Sequence, residues 1–580
     1  MKKIILIVLI TCITFAFLGC DGNKSKETNE RERSKRDRKV GVNRVFINGA
    51  VYTANKDMEW AEAVVIKEGI ITFVGSNVEA EKYIDDNTEI IDLKGKSLLP
   101  GFHDTHVHPF VMMGTALSTC NMFSLKSKDE YLEAIYKASE SQKDREYVIG
   151  MGFNLENFGE EYPTKYDLDE IIPDKPAVFI DNAGHAAWAN SKMLEVAGIH
   201  KETIAEYGVI VKDENGEPTG LFLEDDAMNL VTYQAFELST EEMEKGLKKA
   251  VEILNQAGVT SFVEAQVNNK ETDKLYTYVD KKGELNARVN LALWVDPAKG
   301  DSQLKKLKSR QGQLSPRVKA NQVKLLLDGT LEMQTAALIE PYYKSDNNTG
   351  MLTFNQERLN EYCTELEALG FSIHMHAAGD KATRHGLDAL EYAKKFNQID
   401  DTRHILCHLY LVDDNDIERF NKLNVIANYQ AFWAQPFMYG YEESLGKERI
   451  EKFFPFKTLK ENGALITMGS DWPVTTYEPL KAIEVAVTRK EVGASNLDYA
   501  LNENESIALE EVIDAYTING AYLMRQEDIT GSIEVGKKAD LVVLSENIFD
   551  IPSNKISETK VMMTFLEGKI VYIDSNYLEN

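Results

Sequence analysis

Cysteine is scarce, at five in 580 residues. Cys12 and Cys20 lie near the N-terminus, and the other three, Cys120, Cys363 and Cys407, are an odd and widely spaced set, so no disulfide framework follows. Positive charge is also short. Sixty-five Lys and Arg against 93 Asp and Glu leave a net charge of −28, and basic patches able to track phosphates are missing after the first 44 residues. That excludes a nucleic-acid partner. Long apolar runs are missing too: the uncharged stretch 4–18 is 15 residues long and includes Thr11 and Thr14, short of the roughly 20 needed to span a bilayer. What is present is 43% hydrophobic and 27% charged residues. Such a length exceeds the roughly 250–300 residues at which one core stops growing, so a large core with an appended or inserted unit is expected.

The leader has its own pattern. Lys2 and Lys3 precede the apolar run, and Gly19-Cys20 follows it, the arrangement of a secretory signal. Phe17-Leu18-Gly19-Cys20 resembles a bacterial lipobox, in which the cysteine becomes the lipid-bearing first residue; Phe17 departs from the usual Leu. Residues 21–39 hold eight basic and five acidic side chains and no apolar one, so they cannot bury a core and read as a disordered tether. The expected divisions are a signal at 1–19, a tether at 20–44, and a mature protein held in the bacterial cell envelope, outside the cytoplasm, by lipid on Cys20.

Short β-rich runs with Gly turns fill 45–76, and the same texture returns at 539–544 and 561–572. The two ends could pair into one small sheet unit. Between them, eight short apolar, β-branched runs recur, separated by helical patterns: 98–108, 259–265, 289–295, 323–327, 371–376, 404–408, 425–429 and 465–470. Such a rhythm is that of parallel βαβ units, and eight of them give an α/β fold with a closed (β/α)8 TIM-like barrel, whose chemistry sits at the C-terminal ends of the strands. The gap after the first run is too long for one crossover, so about 109–238 reads as an insertion over the barrel mouth, with a hairpin turning at Asn215-Gly216.

Seven of the ten histidines fall in three strand ends: His103, His106 and His108; His374 and His376; His404 and His408. His106 and His108 are two apart on a strand, so their imidazoles share a face and can chelate one ion. Asp471 ends the eighth run, beside the first when the barrel closes; alone it reads equally as a helix N-cap. Lys324 interrupts an apolar strand, either snorkelling from its end or buried as an amine suited to capture carbon dioxide as a carbamate.

His-x-His on strand one, Lys on four, His on five, His on six and Asp on eight resemble the amidohydrolase superfamily. The finer texture is similar to amidohydrolase family three, the YtcJ-like group that includes N-substituted formamide deformylases. The resemblance rests on Leu99-Pro100-Gly101-Phe102-His103-Asp104-Thr105-His106-Val107-His108, Gly184-His185-Ala186-Ala187-Trp188-Ala189-Asn190-Ser191, Lys324 to Gly329 with Thr335-Ala336-Ala337-Leu338, His376-Ala377-Ala378-Gly379-Asp380, Arg403 to His408, and Gly469-Ser470-Asp471-Trp472-Pro473. It implies a composite β-sandwich built from the two terminal segments (45–97 and 530–580) beside a barrel at 98–529. It also implies that His106, His108, a carboxylated Lys324, His376, His408 and Asp471 ligate one or two divalent ions, with zinc the expected metal. His374 and His404 compete with their neighbours, and the family pattern selects His376 and His408. His103 receives no role, and His200 and His385 read as surface residues.

The expected activity is hydrolysis of a non-peptide C–N bond in a small amide-like molecule, because a metal lowers the pKa of its water toward 7. Asp471 would carry the proton, and His185 or a second metal would steady the oxyanion. His185 and Trp188, both in the insertion, are the expected substrate contacts. A deaminase or cyclic amide or ester hydrolase on the same site remains open, as does a ligand-capturing lipoprotein with a vestigial metal site, and an oligomer is compatible with either.

Overall fold

The computed structural model describes residues 43–159, 162–236, 238–345, 347–436, 441–495 and 499–575. The signal, Cys20 and nearly all of the tether lie outside the described residues. Among the described residues, no helix is long and apolar enough to cross a membrane.

The barrel strands are Phe102–Val107, Val259–Val267, Arg288–Trp294, Val318–Leu326, Ser372–Ala377, Ile405–His408, Ile426–Tyr429 and Ile466–Met468, each paired in parallel with the next. Their side chains are buried on both faces, which is why they read as continuous apolar runs and not as alternating ones. Strands eight and one close the ring through Thr105, whose hydroxyl donates to the Met468 carbonyl at 2.7 Å, and through Asp471 N, which donates to the His106 carbonyl at 2.7 Å. Gly469 permits this approach, since a Cβ there would lie 2.6 Å from His106 N.

The terminal segments form the expected small unit of two sheets. One has four strands from the N-terminal segment, ordered Ile70–Gly75, Ala63–Lys67, Arg44–Ile47, Glu89–Asp92. The other mixes both ends: C-terminal Leu541–Leu544 lies antiparallel to N-terminal Ser97–Pro100, with Leu541 opposite Pro100 and Val543 opposite Leu98. Phe46, Val64, Ile66, Leu98, Leu541 and Phe565 pack between the sheets. Arg288 of barrel strand three joins the two units, bonding Asp540 at 2.9 Å and Glu567 at 2.9 Å.

One boundary moves. The run 98–108 is two strands, not one: Ser97–Pro100 belongs to the terminal sheet and Phe102–Val107 to the barrel. Gly101 is the pivot, where a Cβ would lie 2.3 Å from the Thr260 hydroxyl of strand two. The insertion after strand one holds a six-stranded sheet, which includes the hairpin Val209–Lys212 with Pro218–Leu223, and its own core around Tyr131, Phe153, Phe179 and Trp188.

Candidate metal centre

Each expected ligand lies at or just beyond the C-terminal end of its strand. His106 Nε2 is 3.6 Å and His108 Nε2 3.1 Å from the same oxygen of Asp471, and the His408 Nδ1 is 4.0 Å from its other oxygen. Ligand atoms about 2.1 Å from a tetrahedral ion stand about 3.4 Å apart, so this spacing fits one divalent cation. The fit has a second sign: His408 Nδ1 is buried without a hydrogen-bond partner, an arrangement costly unless something occupies the lone pair. Lys324 is only 2% exposed and its Nζ lies 3.5 Å from His106 Nε2, so it does not snorkel. Asp471 does not cap a helix; the next one, Pro479–Thr488, begins eight positions later.

Electrostatics suit lone-pair donation. Burial, with Lys324 and neighbouring imidazoles adding to it, holds His106 well below the usual histidine range. Burial with His376 and Lys324 does the same for His408. Both rings are therefore neutral. Cys407 lies 3.6 Å from Lys324 Nζ and near His106 and His408, yet burial pushes its thiol up to about 12, so it stays protonated and donates to the Met375 carbonyl.

The competing histidines have other partners. His404 Nε2 donates to Glu367 at 2.9 Å while its Nδ1 accepts from Ile373 N at 3.0 Å, leaving no ring nitrogen for a ligand. His374 lies behind the centre, its Nε2 3.0 Å from His106 Nδ1 and its Nδ1 3.4 Å from Gln322. His376 gives its Nδ1 to Asp328 at 2.9 Å and lines the cavity. His103 is fully buried against Gly101. His200 is exposed, whereas His385, expected on the surface, is half-buried because its Nε2 bonds the Phe354 carbonyl at 2.8 Å.

A cavity of about 1000 Å³ opens above these residues, walled by barrel loops and the insertion. His185 reaches it, with its ring 5.6 Å from that of His376. Burial opposes a charge on His185, but the Glu224 carboxylate 2.7 Å away outweighs it, helped by Asp181 and Asp225, and raises the imidazole to about 10. Trp188 must be corrected. It is fully buried in the insertion core, and its indole N–H donates to the Thr164 carbonyl at 2.7 Å, so it is no substrate contact. It lies in the strand Ala186–Ala189, whose alternation turns Ala186 and Trp188 together into that core, whereas His185 precedes the strand.

Three carboxylates that sequence reasoning passed over hold the ligands and His185 in place. Asp328, two residues beyond the end of strand four, accepts from His376 and from the backbone of Ala337, Ala378 and Gly379. Asp104 accepts from Ser470 N and His106 N, tying strand one to the Asp471 loop. Glu224 holds His185 and accepts from the Thr335 hydroxyl at 2.8 Å. A carboxylate two residues before a ligand histidine was a usable signal for Asp104; the other two act across long sequence separations.

The comparisons agree with this geometry. The model of the amidohydrolase family matches residues 89–572. The putative amidohydrolase YtcJ of Bacillus subtilis is 31% identical over 91% of this chain and 99% of its own length. The N-substituted formamide deformylase of Arthrobacter pascens is 26% identical over 91% of this chain and 98% of its own. A solved metal-dependent hydrolase of uncharacterised role from Pyrococcus horikoshii superposes with a TM-score of 0.70 at 27% identity, over 88% of this chain and 99% of its own. With the matched region spanning the barrel and the C-terminal strands of the terminal sheets, and with histidines and an aspartate converging at the strand ends, the chain belongs to the amidohydrolase family and is a metal-dependent hydrolase acting on carbon–nitrogen bonds.

Proposed function

We propose that the substrate is a small N-substituted amide, a formamide in the first instance, and that zinc is the metal. The observation that carries the reading is the meeting of His106, His108 and Asp471 within ligand distance at the floor of one cavity; the formamide choice is supported by the deformylase relative. A bound divalent ion supplies a water of pKa near 7 and polarises a carbonyl. His376 and His408 complete the donor set, and Lys324, as a carbamate, adds an anion that offsets the metal's charge. Asp471, 5% exposed, takes the proton of the attacking water and returns it to the leaving nitrogen. His185, which lines the cavity and is held as an imidazolium by Glu224 through Nδ1, keeps its other ring nitrogen as a donor for the oxyanion.

Turnover by metal-loaded protein against formamides, N-acyl amino acids and hydantoins tests this. Release of formate and amine from the formamides is expected; preference for hydantoins would transfer the reading to cyclic amides, and no turnover of any compound at full metal occupancy would favour ligand capture. The lipobox supports a lipid anchor on Cys20 and an envelope location outside the cytoplasm. Cys20→Ala should be uncleaved or released, and unchanged membrane fractionation and lipid labelling would end that proposal.

A further inference from the structure

The cavity above the metal residues carries mainly negative charge. Glu156 and Asp181 of the insertion, Asp225 at the start of helix Asp225–Thr232, Glu332 of the loop after strand four, and Glu443 of helix Tyr441–Leu445 all line it. Four separate stretches of chain thus bring carboxylates to one space. No arginine lines it among the described residues, and its one lysine, Lys324, sits at the floor beside His106. The residues between 43 and 575 that are not described contribute no lysine or arginine in sequence. His185 is cationic, but Glu224 already matches it at 2.7 Å.

Asp181 has an internal use, since its carboxylate accepts from Ala183, His185 and Ala186 backbone N–H groups. The others have no lysine or arginine in an ion pair with them among the described residues. Burial raises Asp225 to about 6, with Glu224, Asp296 and Asp226 adding to the effect and His185 opposing it. Glu332 is raised as well, by the cavity walls packed around it and by the charge of Glu156, although its side chain stays open to solvent. Like charges gathered around one space are stabilised by a cation placed among them, and a cleft lined mainly by one sign concentrates counter-ions. The rest of the wall is apolar, with Met112, Met151, Met228 and Met333 forming an adaptable surface, and Tyr162 and Phe236 offering ring faces that also attract cations.

We infer that this site takes a cationic amide: a C–N bond at the metal end, an apolar aryl or alkyl body, and a protonated amine held among Glu156, Asp225, Glu332 and Glu443. The inference rests on the amide-hydrolase reading above. It disfavours N-acyl amino acids with a free carboxylate, since the lining's one lysine lies at the metal end and no arginine lines the cavity among the described residues.

The test uses zinc-loaded protein and three benzylformamides of similar shape, bearing in the para position an aminomethyl (cationic), a hydroxymethyl (neutral) or a carboxylate group. Dissociation constants come from calorimetry and turnover from formate release. The cationic compound should bind about ten-fold or more tightly than the neutral one, and the carboxylate more weakly than either. That preference should shrink as salt rises and fall about five-fold or more in Asp225→Asn/Glu332→Gln; the salt dependence of the parent protein carries the test if that variant fails to fold. Equal binding of the cationic and neutral compounds, or tighter binding of the carboxylate, overturns the inference. Charge-ordered binding without formate release would instead overturn the formamide reading and leave the cation preference standing.

Discussion

Asp328→Asn probes how the metal residues are held. Asp328 is buried, and its two oxygens split four donors: Oδ1 accepts from His376 Nδ1 at 2.9 Å and Ala378 N at 3.0 Å, and Oδ2 from Ala337 N at 3.0 Å and Gly379 N at 2.9 Å. An amide offers an acceptor on one side only. With its oxygen toward His376, the amide N–H2 faces two backbone N–H groups and strands both; a buried unsatisfied donor costs about 1–3 kcal/mol, so the loss is about 2–6 kcal/mol. Flipped, the amide strands Ala378 N and forces His376 Nδ1 to become an acceptor, which moves the ring proton to Nε2, the nitrogen left for a metal. Either rotamer is damaging. Against a total stability of about 5–15 kcal/mol the loss is large but survivable, so a soluble variant with a lowered urea midpoint is expected. Zinc affinity should fall about 10- to 100-fold, as for loss of other groups that orient ligand histidines. Competition with a fluorescent chelator measures that affinity. Parental zinc affinity together with a parental urea midpoint would refute the reasoning.

Two further outcomes follow from other parts of the molecule. Lys324→Ala should stay folded while losing most bound metal and nearly all turnover, with partial rescue by a short carboxylate in solution; metal content equal to the parent would refute the carbamate. Glu567 joins the terminal sheets to the barrel: burial alone would raise its carboxyl, but Arg317 and Arg288, each 2.9 Å away, outweigh burial and lower it to about 2. A depressed carboxylate contributes stability that is present above its unfolded pKa of 4.5 and lost as pH falls through about 2. Glu567→Gln should therefore lower the urea midpoint at pH 7, by up to about 3 kcal/mol in stability, and the gap from the parent should narrow below pH 4.5; a gap independent of pH would contradict the assignment.

The barrel was legible because parallel strands buried on both faces leave continuous apolar runs, and each of the eight runs holds one barrel strand. The same continuity hid the break at Gly101, since an apolar run carries no mark of which sheet each half joins. The metal residues were legible for a different reason: strand ends concentrate histidines where a core would exclude them. Asp328 and Glu224 were not, because their partners lie at Ala337, His376 to Gly379, His185 and Thr335, and come together only in the fold. Trp188 misled because proximity in sequence to His185 was taken for proximity to the cavity, and the alternation of the strand sends it into the insertion core.

Asp471→Asn with paired metal analysis and formamide turnover tests the central claim most directly, since Asp471 is the residue within reach of His106, His108 and His408 together. If Asp471 chiefly moves the proton, the variant keeps most of its metal, turns over about 10² to 10⁴ more slowly, and loses or shifts the acidic limb of its pH profile. If it is chiefly a ligand, metal and activity fall together and excess zinc restores both. Parental turnover by the asparagine variant would contradict both roles, and with them the assignment of this cluster as the centre of C–N bond hydrolysis.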